Sequence, residues 1–309
     1  MQPKLVVILG PTATGKSYCG VQLAQRLDGE IISGDSMLVY KNMDIATAKP
    51  SLEERGGIKH YLIDILGANA EFNVVDFVQQ ARVLIADINK RGKVPILVGG
   101  TGLYIKALLE GYDFAVTQAS KDLREQLARL GEEQGAAALH KKLEELDPVT
   151  AARLAVNDSR RVIRAIETAL AGEQVSQSKQ ATCPYDVTVF GLTAPREILY
   201  PKINARVDAM VLQGIFEETR SLLAAGVRPE AQAMRSIGYR QIVVFYQGEY
   251  DKATCIEKIK QATRNFAKRQ YTWYKKMPYV HWFYLTERPD YAQYVEWMHQ
   301  ALVEKYNLR

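Results

Sequence analysis

The eight residues Gly10-Pro11-Thr12-Ala13-Thr14-Gly15-Lys16-Ser17 constrain this chain more than any other stretch. They match G-x-x-x-x-G-K-[ST] in full, with the apolar run 4–9 before them and an amphipathic stretch over 17–27 after them. Strand, glycine-rich turn and helix in that order let successive backbone N–H groups curl around an anion, and the helix N-terminus adds its positive dipole end. Lys16 is suited to neutralise terminal phosphate oxygens, and the Ser17 hydroxyl to hold Mg²⁺. The motif predicts a phosphate site at the edge of a parallel sheet.

The neighbouring sequence agrees. Short apolar runs at 4–9, 30–33, 60–65 and 94–98 read as strands and alternate with helical patterns, the clearest at 74–90. Such alternation implies βαβ crossovers and a parallel sheet covered on both faces. Between about 115 and 184 the composition shifts to Ala, Leu, Glu, Lys and Arg at helical spacing. Helices are expected at 120–134, 135–146, 148–155 and 158–172, the last capped by Asn157 or Asp158, with a loop over 172–184. A strand returns at 187–193, followed by helices to the end. The predicted fold is therefore α/β, a P-loop NTPase-like parallel sheet flanked by helices with an inserted all-helical domain. Residues 1–114 form the first part of the core, 115–184 the insert, and 185–309 the return.

Composition removes several classes. With 47% hydrophobic and 24% charged residues in 309, the chain can bury a real core. Cys19, Cys183 and Cys255 form no CxxC or CxxH pattern, so a disulfide framework or structural zinc is not expected and a reducing, cytoplasmic compartment is. His60, His140, His281 and His299 are scattered without metal-ligand spacing. No run approaches 18 apolar residues, so no membrane partner is expected. The net charge of +5 is modest, which makes its placement the informative quantity.

Two placements stand out. In ISGDSMLVY (32–40) a carboxylate, Asp35, lies just past the end of a strand, and Gly99-Gly100-Thr101 lies past another. Ligands of open parallel sheets bind at those carboxyl ends. No strand ends in the Asp-Glu pair common in ATP-hydrolysing motors, so Asp35 is the better active-site carboxylate, able to deprotonate or orient a nucleophile attacking a phosphate-bearing donor. The second placement is 256–276, which carries Lys258, Lys260, Arg264, Lys268, Arg269, Lys275 and Lys276 with no acid after Glu257, interleaved with Phe266, Tyr271, Trp273 and Tyr274. One-sided charge with aromatic groups favours a nucleic acid backbone, although some of those rings must be core. Arg160, Arg161 and Arg164 add a second cationic cluster, with Val162, Ile163 and Ile166 spaced to pack inward.

These blocks together resemble the tRNA dimethylallyltransferase (tRNA isopentenylpyrophosphate transferase) family. The resemblance rests on GPTATGKS (10–17), ISGDSMLVYKNMDIATAKP (32–50), LVGGTGLYIKALLEG (97–111), NDSRRVIRAIE (157–167), PREILYPKINARVDAM (195–210), SIGYRQ (236–241) and TRNFAKRQYTWYKK (263–276). It implies transfer of a dimethylallyl group from dimethylallyl diphosphate to N6 of the adenine at tRNA position 37, with Mg²⁺ as cofactor and a monomeric enzyme. By resemblance, Asp35 and Thr101 are catalytic; the loop Gly10, Pro11, Thr12, Ala13, Thr14, Gly15, Lys16 and Ser17, with Arg161 and Arg206, binds diphosphate. Contacts to the anticodon stem-loop would fall on Asp35, Ser36, Met37, Leu38, Thr101, Leu123, Ser159, Arg160, Arg161, Val162 and Ile163. Further contacts would fall on Arg235, Gly238, Tyr239, Arg240, Lys268, Arg269, Trp273 and Lys275. The chain departs from many relatives in having Ala46 for Gly, Leu38 for Gln, and no Pro or Tyr-Ser pair in 66–73. The alternatives are an adenylate isopentenyltransferase acting on free AMP, ADP or ATP, a small-molecule kinase of the same fold, and a non-catalytic RNA-binding module.

Overall fold

The structure, a computed structural model, describes residues 2–112, 121–171 and 183–306. Within them six strands form one parallel sheet: β1 (Lys4–Leu9), β2 (Gly29–Ser33), β3 (His60–Tyr61), β4 (Val94–Gly99), β5 (Asp186–Thr193) and β6 (Val280–Tyr284). Their order is β3-β2-β4-β1-β5-β6, with β1 in register between β4 (Leu9 beside Gly99) and β5 (Leu9 beside Gly191). β1 reads as a continuous apolar run because both of its faces are covered. Val6 and Ile8 pack with Cys19, Leu23 and Ala24 of α1 (Lys16–Arg26) and with Val295, Met298 and Leu302 of a C-terminal helix (Tyr291–Tyr306). Over β1, β2 and β4 also lies α2 (Val74–Lys90), which buries Phe77, Val78, Ala81 and Ile85. α2 opens with a reciprocal cap, the Asn73 side chain accepting from Asp76 N and the Asp76 carboxylate from Asn73 N.

Two expectations are corrected at the sheet margins. The strand expected over 60–65 pairs only at His60–Tyr61, because Leu62 (φ +61°) and Asp64 (φ +57°) turn into the left-handed region, which no ladder tolerates. The carboxylate of Asp64 is instead held by Lys49. The stretch after 193, expected to be helical to the end, contains β6, which extends the sheet beside β5.

Helices α3 (Gly102–Leu109), α4 (Lys121–Gln134), α5 (Ala136–Leu146), α6 (Pro148–Ala151) and α7 (Ser159–Leu170) follow β4. After β5 come α8 (Arg196–Leu212), α9 (Ile215–Ala224), α10 (Tyr239–Tyr246), α11 (Lys252–Tyr274) and, past β6, α12 (Tyr291–Tyr306). Most of the loop expected at 172–184 lies outside the described residues. One compact unit combines the residues up to Leu109 with those from Cys183 onward, and a second runs from Glu110 to Thr182. The second has its own core of Leu127, Leu139, Leu143, Val162, Ala165 and Ile166. Asp158 caps α7 by accepting from Arg161 N, and the buried Glu167 carboxylate is matched by Arg124 at 2.8 Å and Arg164 at 3.2 Å. The three cysteines are free. No helix among the described residues is long and apolar enough to cross a membrane.

Candidate active site

Strand order explains how residues distant in sequence meet. β2, β4 and β1 are consecutive parallel neighbours, so the segments leaving their C-terminal ends lie side by side: Asp35, the Gly99–Thr101 turn and the phosphate loop. Gly34 N donates to Val98 O at 2.8 Å, and Thr101 N to Gly34 O at 3.2 Å. A Cβ on Gly99 would fall 2.4 Å from the Gly34 carbonyl, so only glycine allows this approach. In the phosphate loop, Gly10 has φ +149° and a Cβ there would meet Leu192 O at 2.1 Å. Thr14 Oγ1 and Lys16 Nζ both donate to the Pro11 carbonyl, at 2.9 and 2.7 Å, which closes the loop on itself.

Asp35 is fixed by its own turn: Oδ1 accepts from Met37 N at 2.8 Å. Beside it, Thr101 Oγ1 accepts from Ser36 N at 3.0 Å and donates to Ser36 Oγ at 3.3 Å. Burial pushes the Asp35 carboxyl up from its ordinary value, opposed by the Met37 amide and by the charges of Lys16 and Arg206. Burial, then the Arg206 charge, pulls Lys16 down to about 7. Arg206, from α8, is itself pulled down by burial and held up chiefly by Asp35. The three groups are thus coupled, two basic side chains against one carboxyl.

They line a cavity of about 390 Å³. Thr12, Lys16 and Ser17 form its phosphate end, and Asp35, Ser36, Met37, Leu38 and Thr101 its strand-end wall. Arg235, Gly238, Arg240, Phe266 and Arg269 border it, and Ile203, Val207, Met210, Ile215 and Ile259 give it an apolar side. A small, partly apolar cavity with a few convergent charges is the usual form of a small-molecule site. Ser17, exposed on the first turn of α1, offers one hard oxygen donor. Among the described residues no group of three or more His, Cys, Asp or Glu could hold a metal. A cation here would rest on Ser17 and on substrate oxygens, which suits Mg²⁺.

The remaining residues singled out from the sequence divide by position. Lys268 and Lys275 are exposed on or next to α11, and Trp273 is 37% exposed. Lys260 and Arg264, counted in the basic run, are committed to Asp208 at 2.8 Å and Asn204 at 2.6 Å of α8. Tyr239 is fully buried and donates to Glu218 at 2.5 Å, so its side chain offers nothing to a nucleic acid. Val162 is likewise buried in the second unit, and Ile163 and Leu123 pack against that core; only their backbone or edges remain available. Ser159 opens α7, Arg160 is exposed, and Arg161 is exposed and paired with Asp158 at 3.3 Å. Pro11 and Thr14 are buried and shape the loop rather than face the cavity.

Two residues carry weight that the sequence did not signal. Glu218 of α9 accepts from the amides of Asp44 and Ile45, each at 2.8 Å, and so anchors the loop whose Ala46, Thr47 and Ala48 line the cavity. Gln270 of α11 accepts from Thr12 N and donates to Gly100 O. An acid in a surface-like helix and an amide among cations have no distinguishing pattern; only the distant partner reveals them.

The whole chain is similar to known proteins. The sequence model of a family described as IPP transferase matches residues 38–277. A tRNA dimethylallyltransferase of Geobacillus thermodenitrificans is 44% identical over 312 residues, spanning 100% of this chain and 99% of the relative. One from an Exiguobacterium is 49% identical over 271 residues, spanning 88% and 87%. A tRNA isopentenylpyrophosphate transferase of Bacillus halodurans superposes with a TM-score of 0.76 at 40% identity, covering 99% of this chain and 97% of that one. A eukaryotic dimethylallyltransferase acting on tRNA gives 0.83 at 30% identity, covering 97% and 77%.

Proposed function

Since the chain belongs to the IPP transferase family, that of the tRNA dimethylallyltransferases, we propose that it moves a dimethylallyl group from dimethylallyl diphosphate to N6 of the adenine at tRNA position 37, releasing diphosphate. It is a prenyl transferase that modifies tRNA. The observation carrying the finer reading is the meeting of phosphate loop, Asp35, Thr101 and Arg206 around one cavity that also has an apolar side.

In the reaction the N6 lone pair attacks the allylic carbon of the donor. The carbon–oxygen bond breaks, its electron pair leaves with diphosphate, and N6 gives up one proton. Asp35 is the acceptor of that proton or of the hydrogen bond that aims the amine; a carboxylate raised by burial is a better base than an ordinary aspartate. Thr101 fixes the Asp35–Met37 turn through Ser36 and offers its hydroxyl to the base or diphosphate region. Lys16, Arg206 and the loop amides stabilise the charge that develops on the leaving group. A Mg²⁺ held by the Ser17 hydroxyl and the diphosphate would supply further neutralisation when bound. The apolar side of the cavity suits the hydrocarbon group and excludes water from a reactive allylic centre. The base is stacked in the anticodon loop and has to be flipped out to react. Arg235, Arg240, Lys268, Arg269 and Lys275 supply phosphate contacts for the stem-loop. We place the enzyme in the reducing cytoplasm, in keeping with its free cysteines, and propose that it acts as a monomer.

The test is incubation with labelled dimethylallyl diphosphate, comparing tRNA with AMP as acceptor. Label is expected in tRNA and at most in trace in AMP. Preferential labelling of AMP would favour the adenylate isopentenyltransferase reading instead.

A further inference from the structure

The side chain of Gln270, 4% exposed, accepts the Thr12 N–H through Oε1 at 2.9 Å and donates from Nε2 to the Gly100 carbonyl at 2.8 Å. Thr12 belongs to the phosphate loop after β1, and Gly100 to the turn after β4 that leads into Thr101. One planar amide therefore spans the donor side and the acceptor side of the cavity. Beyond the Leu9–Gly99 pair that ends the β1–β4 ladder, no backbone–backbone hydrogen bond among the described residues joins these two loops. Gly100 is shaped to admit the amide: a Cβ there would lie 2.5 Å from Gln270 Nε2 and 3.9 Å from Asp35 Oδ2.

The geometry points to Gln270 as a positioning residue for prenyl transfer, setting the gap between the phosphate loop and the Asp35–Thr101 side and hence the approach of N6 to the allylic carbon. The inference rests on the transfer proposed above. Near-attack alignment is unforgiving: a misplacement of roughly 1 Å costs on the order of 100-fold in rate. The amide is also directional. Its oxygen must face an N–H and its nitrogen a carbonyl, so an ionised glutamate would satisfy Thr12 but oppose Gly100.

The experiment is single-turnover transfer from a preformed complex with dimethylallyl diphosphate to saturating tRNA, with both Kd values measured separately. It compares the wild type with Gln270→Met, Gln270→Glu and Gly100→Ala, the last displacing the amide without deleting it. The two Gln270 variants are expected to lose about 10- to 100-fold in the transfer step, and Gly100→Ala a smaller part of that, with each Kd within about threefold of wild type. The deficit of Gln270→Glu relative to wild type should narrow as pH falls, because a protonated carboxyl regains the donor to Gly100. Should Gln270→Met fail to fold, the other two variants decide. Transfer within threefold of wild type in those folded variants overturns the positioning role, as does a loss confined to either Kd. A wild type that does not prenylate tRNA would reject the proposed function itself, and is told apart by that control.

Discussion

Lys16 and Asp35 are shifted from their ordinary proton affinities in opposite senses. Burial pulls Lys16 down to about 7 with help from Arg206, and pushes Asp35 up. For Lys16 the unfolded chain keeps its proton between about 7 and the ordinary value of 10.5 while the folded protein gives it up, so ligand-free stability gains as pH rises through that window. In the proposed transfer, a bound diphosphate would reverse the preference by supplying the missing anion. Above pH 7, donor binding should therefore take up a proton from solvent. Calorimetry at pH 8 in buffers of different ionisation enthalpy should register uptake approaching one proton for wild type and almost none for Lys16→Met; no uptake in the wild type would contradict the picture. At this scale the sequence was partly legible. Asp35 and Thr101 are marked by their places after strands, and Lys16 by its motif, whereas Arg206 sits in an ordinary helix and was singled out by family resemblance alone. Gln270 and Glu218 left no mark, since a hydrogen bond to a distant loop has no local pattern.

Helix α11 does two jobs on two faces. Ala267, Gln270 and Tyr274 are buried against the strand-end loops and α8, while Lys268 is exposed and Arg269, also exposed, borders the cavity. Gly102 sits tightly below it, where a Cβ would meet the Trp273 side chain at 3.0 Å. Replacing Lys268 and Arg269 with Ala should weaken tRNA binding and flatten the slope of log K against log salt by about 0.7–0.9 for each phosphate that is no longer neutralised. An unchanged slope would remove this face from the RNA interface. The helical period and caps were readable, as with Asp158 before α7 and the expected helix over 74–90. Which cations remain free was not: Lys260 and Arg264 find their partners on α8, a helix far back in the sequence, and packing partners are not written in periodicity. β3 is short because of two left-handed residues within an apolar run, and β6 escaped notice because VHWFY is a brief aromatic stretch after Met277-Pro278.

The sheet order does the assembling for the whole molecule. The phosphate-loop motif and the strand–helix alternation predict a parallel sheet, and one is present. Nothing in the sequence says that β4 inserts between β1 and β2, yet that insertion brings Thr101 between the phosphate loop and Asp35. Parallel strands are ordered by crossovers, and crossovers depend on how helices pack rather than on strand composition. The central claim is that this edge joins a diphosphate-bearing donor to an amine governed by Asp35. Its most direct test is single-turnover transfer of labelled dimethylallyl from preloaded enzyme to an anticodon stem-loop, wild type against Asp35→Ala. The account predicts a loss of about 10²–10⁴-fold in the transfer step with donor affinity little changed; a variant that transfers within a few-fold of wild type would contradict it.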